Sequence, residues 1–175
     1  YFINLVLNDK WMYELPASSN AMTDVEKIKE FLQLRLADVT SAHKYRTYAG
    51  FYEDFSLRGI RVDRVEPGLV SCSFKVPPRL TDRNGILATG AIANLVDDLG
   101  GALVQINGFP GKVSVDMSIS FCSSANENDE LEITAKILGQ MGGYAGTSVV
   151  VRNKATGELI AEGRHSLFGR KPSKI

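Results

Sequence analysis

The sequence predicts an α+β fold in which a long curved antiparallel sheet wraps around one central buried helix, with an amphipathic helix added at the N-terminal side. Two observations carry this expectation. Residues Thr89 to Ile106 are apolar on most of a helical circumference, so that helix must be covered on most sides. Six strand-like runs flank it, two before and four after, each bounded by turn chemistry.

From Asp24 to about Ala37, Val25, Ile28, Phe31, Leu32 and Leu36 recur at helical spacing among charged residues, the pattern of a surface helix. The polar stretch from Thr40 to Tyr52 reads as loop plus a short helix. From Leu57, the residues Leu57, Ile60, Val62 and Val65, then Leu69, Val70, Cys72, Phe74 and Val76, are strand types separated by Glu66-Pro67-Gly68; this is a hairpin, ended by Pro77-Pro78. The buried helix follows, with Ile92, Leu95, Val96, Leu99, Leu103 and Val104 among its apolar residues, and Gly108 and Pro110 stop it. Four runs, Val113 to Ser123, Leu131 to Leu138, Gly146 to Asn153 and Leu159 to Phe168, read as an antiparallel meander with turns at Glu127-Asn128-Asp129, Gly142-Gly143 and 155–158. One helix wrapped by such a sheet satisfies both burial demands, which is the hotdog architecture.

The expected organisation is residues 1–21 as a non-native leader, since Ser19-Asn20-Ala21-Met22 looks like an expression scar before a start methionine. Then come 22–55 as an N-terminal helical segment, 56–170 as the main domain and 171–175 as a tail. Twenty basic residues offset twenty acidic ones, which removes the positive field that draws proteins to nucleic acid. No apolar run approaches the ~20 residues of a membrane span. Cys72 and Cys122 sit in alternating runs without metal spacing and read as reduced, buried thiols. His43 and His165 are the only histidines, too few for a multi-histidine metal site; His165, beside Arg164 on a strand, reads as solvated or structural. No metal or cofactor is expected.

The anomaly is Asp97-Asp98 in the middle of the most apolar helix, because a buried carboxylate needs a partner or a proton. Gly90, Asn94, Asp97 and Gly101 form one small or polar stripe that a substrate or a second helix can approach, while Asp98 shares its face with Ala91, Leu95 and Ala102. Periodicity therefore leans to Asp97. The helix start offers backbone N–H groups at Thr89, Gly90 and Ala91 that suit a developing oxyanion. Eight residues separate Thr89 from Asp97, or about 12 Å along the axis. A site composed from two subunits would bring both to one carbonyl.

At these residues a resemblance enters. The stretch Asn84 to Asp98, followed by Val113-Ser114-Val115-Asp116-Met117-Ser118-Ile119 and by the closing run Asn153 to His165, resembles the acyl-CoA thioesterases of the phenylacetate-pathway and thioesterase-superfamily-member branch of hotdog proteins, most closely the plant-like eukaryotic members. It covers about residues 56 to 168. The resemblance implies hydrolysis of acyl-CoA to free acid and CoA in a dimer, or a dimer of dimers. It gives Asp97 as general base or nucleophile, Ser114 to place the attacking water, and the Thr89 amide to polarise the carbonyl. Two positions depart from the family's pattern: Ala88-Thr89-Gly90 stands for His-Gly-Gly, and Asp82 stands where an asparagine touches the carbonyl, with Asn84 two residues on. The alternative reading is a non-catalytic acyl-CoA or lipid-binding dimer. Arg164 and Lys112 are candidates for the CoA phosphates, and Ser173-Lys174-Ile175 resembles a peroxisomal address, with the cytoplasm as the other expected location.

Overall fold

The computed structural model describes residues 55–107 and 112–169. The helix expected from Asp24 to about Ala37, His43 and the 171–175 tail lie outside them. Strands β1 (Arg61–Glu66) and β2 (Leu69–Lys75) form the expected hairpin, closed by Gly68 at φ +73°, but Leu57, expected in its first strand, lies in a helical turn before it. A 3-10 turn at Pro78–Leu80 leads to helix α1 (Thr89–Ile106). Strands β3 (Val113–Phe121), β4 (Glu130–Met141), β5 (Tyr144–Asn153) and β6 (Leu159–Phe168) follow.

All pairings are antiparallel, in the order β1-β2-β4-β5-β6-β3. Strands β4, β5 and β6 are the expected meander. Strand β3 corrects it: instead of pairing with β4, its successor in sequence, it lies against β6 at the far edge of the sheet. The chain must return across the sheet to begin β4 beside β2. Strand β4 also runs three residues past the expected end, to Met141, because pairing with β5 continues to Met141↔Tyr144 before Gly142 turns the chain at φ +59°.

The helix is sunk in the concave side of the sheet. Leu95, Val96, Leu99 and Leu103 are buried against Phe74, Leu131, Ile133, Val149, Val151 and Ile160. Each such side chain contributes about 1.5–3 kcal/mol on leaving water, and the helix is held by the sheet more than by its own propensity. This is the hotdog architecture. No described helix is long and apolar enough to cross a membrane.

The two cysteines differ. Cys72 is buried as expected, and burial, aided by the charge of Asp63, pushes its thiol up to about 12. Cys122 is exposed, contrary to expectation: it follows edge strand β3, whose residues are nearly all exposed.

Candidate active site

Helix α1 carries Asp97 at mid-length, and its neighbours explain how a carboxylate survives there. Val96 and Leu99 are inside the core, while the Asp97 side chain keeps 49% exposure at the margin of the helix facing β3 and β6. Its Oδ1 accepts a hydrogen bond from Ser114 Oγ at 2.8 Å and lies 3.2 Å from His165 Nε2. Ser114 Oγ is in turn 2.8 Å from His165 Nε2. An aspartate from the helix, a serine from β3 and a histidine from β6 thus meet at one point.

A β-bulge follows the serine and sets which residue lies opposite His165. Ser114 pairs with Leu167, but the next pair is Asp116↔Ser166, so Val115 is the extra residue. Without it, alternation would place Asp116 opposite His165; with it, Met117 takes that place and Ser114 still faces the helix. Asp97 and Asp116 both pull the His165 imidazole towards the charged form, yet burial outweighs them and holds its pKa below the ordinary histidine value.

His165 is the residue that sequence reasoning placed elsewhere. It is 1% exposed, so it is not solvated, and it belongs to the Asp97–Ser114 cluster. The readable signal was strand parity: Ala161, Gly163, His165 and Leu167 are buried and share one face, and Arg164 takes the other. Arg164 is exposed and lies 3.9 Å from Glu162. It does not join the cluster. Lys112 Nζ donates to the Gly143 carbonyl.

The helix start stands apart. Ala88 is the N-cap and makes no side-chain cap bond; Thr89 and Gly90 are exposed, and a Cβ on Gly90 would meet nothing within 4 Å. The Ala91 N–H is engaged, contrary to expectation: it donates to the Ala88 carbonyl at 2.9 Å, the first bond of the tightened opening turn. Thr89 and Gly90 therefore carry the donors suited to an oxyanion. Asn94 is also partnered, its Nδ2 donating to the buried Ser56 Oγ at 2.9 Å, which ties the helix to the segment before β1.

The loop before the helix is organised by Asp82. Its Oδ1 accepts the backbone N–H groups of Asn84 at 2.8 Å and Ile86 at 3.0 Å, and these bonds hold its carboxyl below the usual carboxylate range. Gly85 takes φ +74° in this turn, and Asn84 is exposed at its tip. Leu87 N–H then bonds to the Ala125 carbonyl, which pins the loop end as α1 begins.

The site thus holds a helix-borne carboxylate with a hydroxyl bonded to it, and similarity to known proteins decides the family. The sequence pattern of the thioesterase superfamily matches residues 84–160, which include Asp97 and Ser114. Acyl-coenzyme A thioesterase 13 of Homo sapiens is 45% identical over 102 residues, 57% of this chain and 72% of that protein. The chain belongs to the thioesterase superfamily. It is an enzyme, a thioester hydrolase. The crystal structure of zebra fish thioesterase superfamily member 2 aligns with a TM-score of 0.70 at 31% identity, covering 85% of this chain and all of that one. A Streptococcus pneumoniae thioesterase protein solved with coenzyme A aligns at 0.60, over 65% of this chain and 89% of that one; at 20% identity it bears on the fold alone.

Proposed function

We propose that this protein hydrolyses the thioester of acyl-CoA to a free acid and CoA, with Asp97 as general base, at a site shared between two copies of the chain. The observation that carries the reading is the hydrogen bond from Ser114 Oγ to Asp97 Oδ1 at 2.8 Å. It engages one carboxylate oxygen and leaves Oδ2 to take a proton from water. The water oxygen attacks the carbonyl carbon as Asp97 accepts the proton, and the oxyanion forms at the Thr89 and Gly90 N–H groups. Collapse of that intermediate breaks the C–S bond, and the CoA sulfur leaves with the proton returned from Asp97. CoA enters only as part of the substrate. The acyl-CoA thioesterase names of the similar proteins support the substrate class.

Two features support the shared site. Thr89 and Asp97 are about 12 Å apart along one helix, so one chain's pair does not reach one carbonyl carbon. Strand β3 forms a sheet edge with Val113, Val115, Met117 and Phe121 exposed, at 55%, 57%, 39% and 49%. An edge of that kind is a template for a second strand, and a second copy supplies one. In this reading Asp97 and Ser114 come from one copy and the helix start from the other, in a dimer or a dimer of dimers.

The test has two parts. Purified protein with a panel of acyl-CoAs and a thiol reagent should release free CoA; binding without release would favour the non-catalytic reading instead. Thr89→Pro removes one N–H at the first helical position, where proline is tolerated. Asp97→Asn and Thr89→Pro chains should each be inactive, and refolding an equal mixture should restore about a quarter of wild-type activity, because half the dimers are mixed and each mixed dimer has one intact site. No recovery would exclude the shared site.

A further inference from the structure

His165 places an imidazole inside the cluster, and the position of its proton follows from its surroundings. The ring is neutral at pH 7, since burial holds its pKa down, so it carries one N–H. Nε2 lies 3.2 Å from Asp97 Oδ1, and a carboxylate oxygen has no proton to share. The contact is attractive only if Nε2 is the donor. Ser114 agrees: its one proton goes to Asp97, so its oxygen faces Nε2 with a lone pair at 2.8 Å. Nδ1 is then the bare nitrogen, and it is the described buried side-chain atom that has no hydrogen-bond partner. An N–H there would be a buried unsatisfied donor.

The fold makes room for this ring. A Cβ on Gly100 would lie 2.8 Å from both His165 Nδ1 and Thr147 Oγ1, so the helix can approach the ring only through a glycine. Thr147 Oγ1 donates to the His165 carbonyl at 3.4 Å. The charged groups facing the ring are Asp97 from α1 and Asp116 from β3.

We propose that His165 is a positioning residue for thioester hydrolysis: its Nε2–H holds Ser114 Oγ and Asp97 Oδ1 together, directs the serine's only proton to the aspartate, and leaves Oδ2 for the water. The role rests on the reading of Asp97 as base. It also sets this trio apart from a serine hydrolase triad, because a protonated Nε2 has no lone pair with which to take the serine's proton. Ser114 is a hydrogen-bond relay and not the nucleophile.

The experiment compares His165→Leu, His165→Gln and Asp97→Asn in the full chain, with kcat and KM for one acyl-CoA corrected for folded fraction. His165→Leu should lose about 10- to 100-fold in kcat with little change in KM. His165→Gln, whose side-chain amide can present an N–H near the Nε2 position, should recover most of it. A merely structural role would lower the folded fraction and leave the corrected kcat equal in the two variants, which overturns the proposal. A two-bond proton–nitrogen spectrum of histidine-labelled wild type, with the His165 signal identified by its loss in His165→Gln, should show the Nε2–H tautomer; the Nδ1–H tautomer or an imidazolium at pH 7 overturns it. That reading decides even if His165→Leu does not fold. Inactive Asp97→Asn beside unchanged His165→Leu would reject the positioning role alone, whereas active Asp97→Asn would reject the base assignment and the positioning role together.

Discussion

Val96 of the helix and Gly163 of β6 are in such close contact that a Cβ on Gly163 would lie 2.6 Å from Val96 Cγ1 and 2.9 Å from Cγ2. Val96 is fully buried and cannot swing aside. This contact sets the spacing of helix and sheet one residue before Asp97 and two residues before His165. Gly163→Ala should therefore destabilise the protein by about 1–3 kcal/mol, the usual effect of overpacking. It should also lengthen the 3.2 Å approach of His165 to Asp97 and lower kcat. Urea denaturation with parallel kinetics checks both; an unchanged midpoint would mean that Val96 yields easily.

The two adjacent aspartates should respond very differently. Asp97→Asn is isosteric but cannot take a proton, so kcat should fall about 10²- to 10⁴-fold while fold and substrate affinity are largely kept. Asp98 lies about 100° further round the helix, on the face shared with Leu95 and Ala102, and Asp98→Asn should do much less. Equal losses in the two variants, measured as CoA release, would show that the helix face has been assigned wrongly.

Acid should weaken the fold partly through His165. The unfolded chain binds a proton on this residue near the ordinary value of about 6.5, and the buried ring resists it. Between the folded and unfolded values the unfolded state holds more protons, so stability rises with pH. The contribution is fully present above about pH 6.5 and is lost as pH falls towards the folded value, by at most about 1.4 kcal/mol per pH unit. Denaturation of wild type and His165→Gln at pH 7.5 and 5.5 should show the smaller pH dependence in the variant. Identical dependence would mean that the ring titrates alike in both states.

Much of this architecture was legible because it is local. Thr89–Ile106 shows its period, its apolar circumference and its stop within one window, and the β6 limits coincide with its apolar alternation. The place of β3 was not legible, since its partner lies about 45 residues ahead and nothing within Val113–Phe121 names β6. The extra residue Val115 is equally silent: a bulge is defined by two strands, and one strand's sequence shows only its own half. Asp97 stood out as a charge in an apolar helix. Its partners Ser114 and His165, 51 residues apart, are brought together only by the pairing of β3 with β6.

Asp82 offers a change that should improve the enzyme. Its Oδ1 is committed to the amides of Asn84 and Ile86, and those bonds keep the carboxyl ionised. An Oδ2 that faces the carbonyl puts a negative charge against the oxyanion proposed at the helix start, and kcat is then held low. Asp82→Asn keeps an oxygen acceptor for both loop amides and converts the second oxygen into an N–H donor. It should raise kcat about tenfold or more, since a single donor at such a site is worth about 10²–10³. Asp82→Ala is the control: it removes the charge and also the acceptor that folds the loop, so it should not reproduce the gain. Adding Ala88→His restores the residue common in the family at the helix N-cap and should help further if the half-buried site admits the ring. If Asp82→Asn leaves kcat unchanged or lowers it, Oδ2 points away from the carbonyl, and Asn84 at the loop tip becomes the better candidate for that contact.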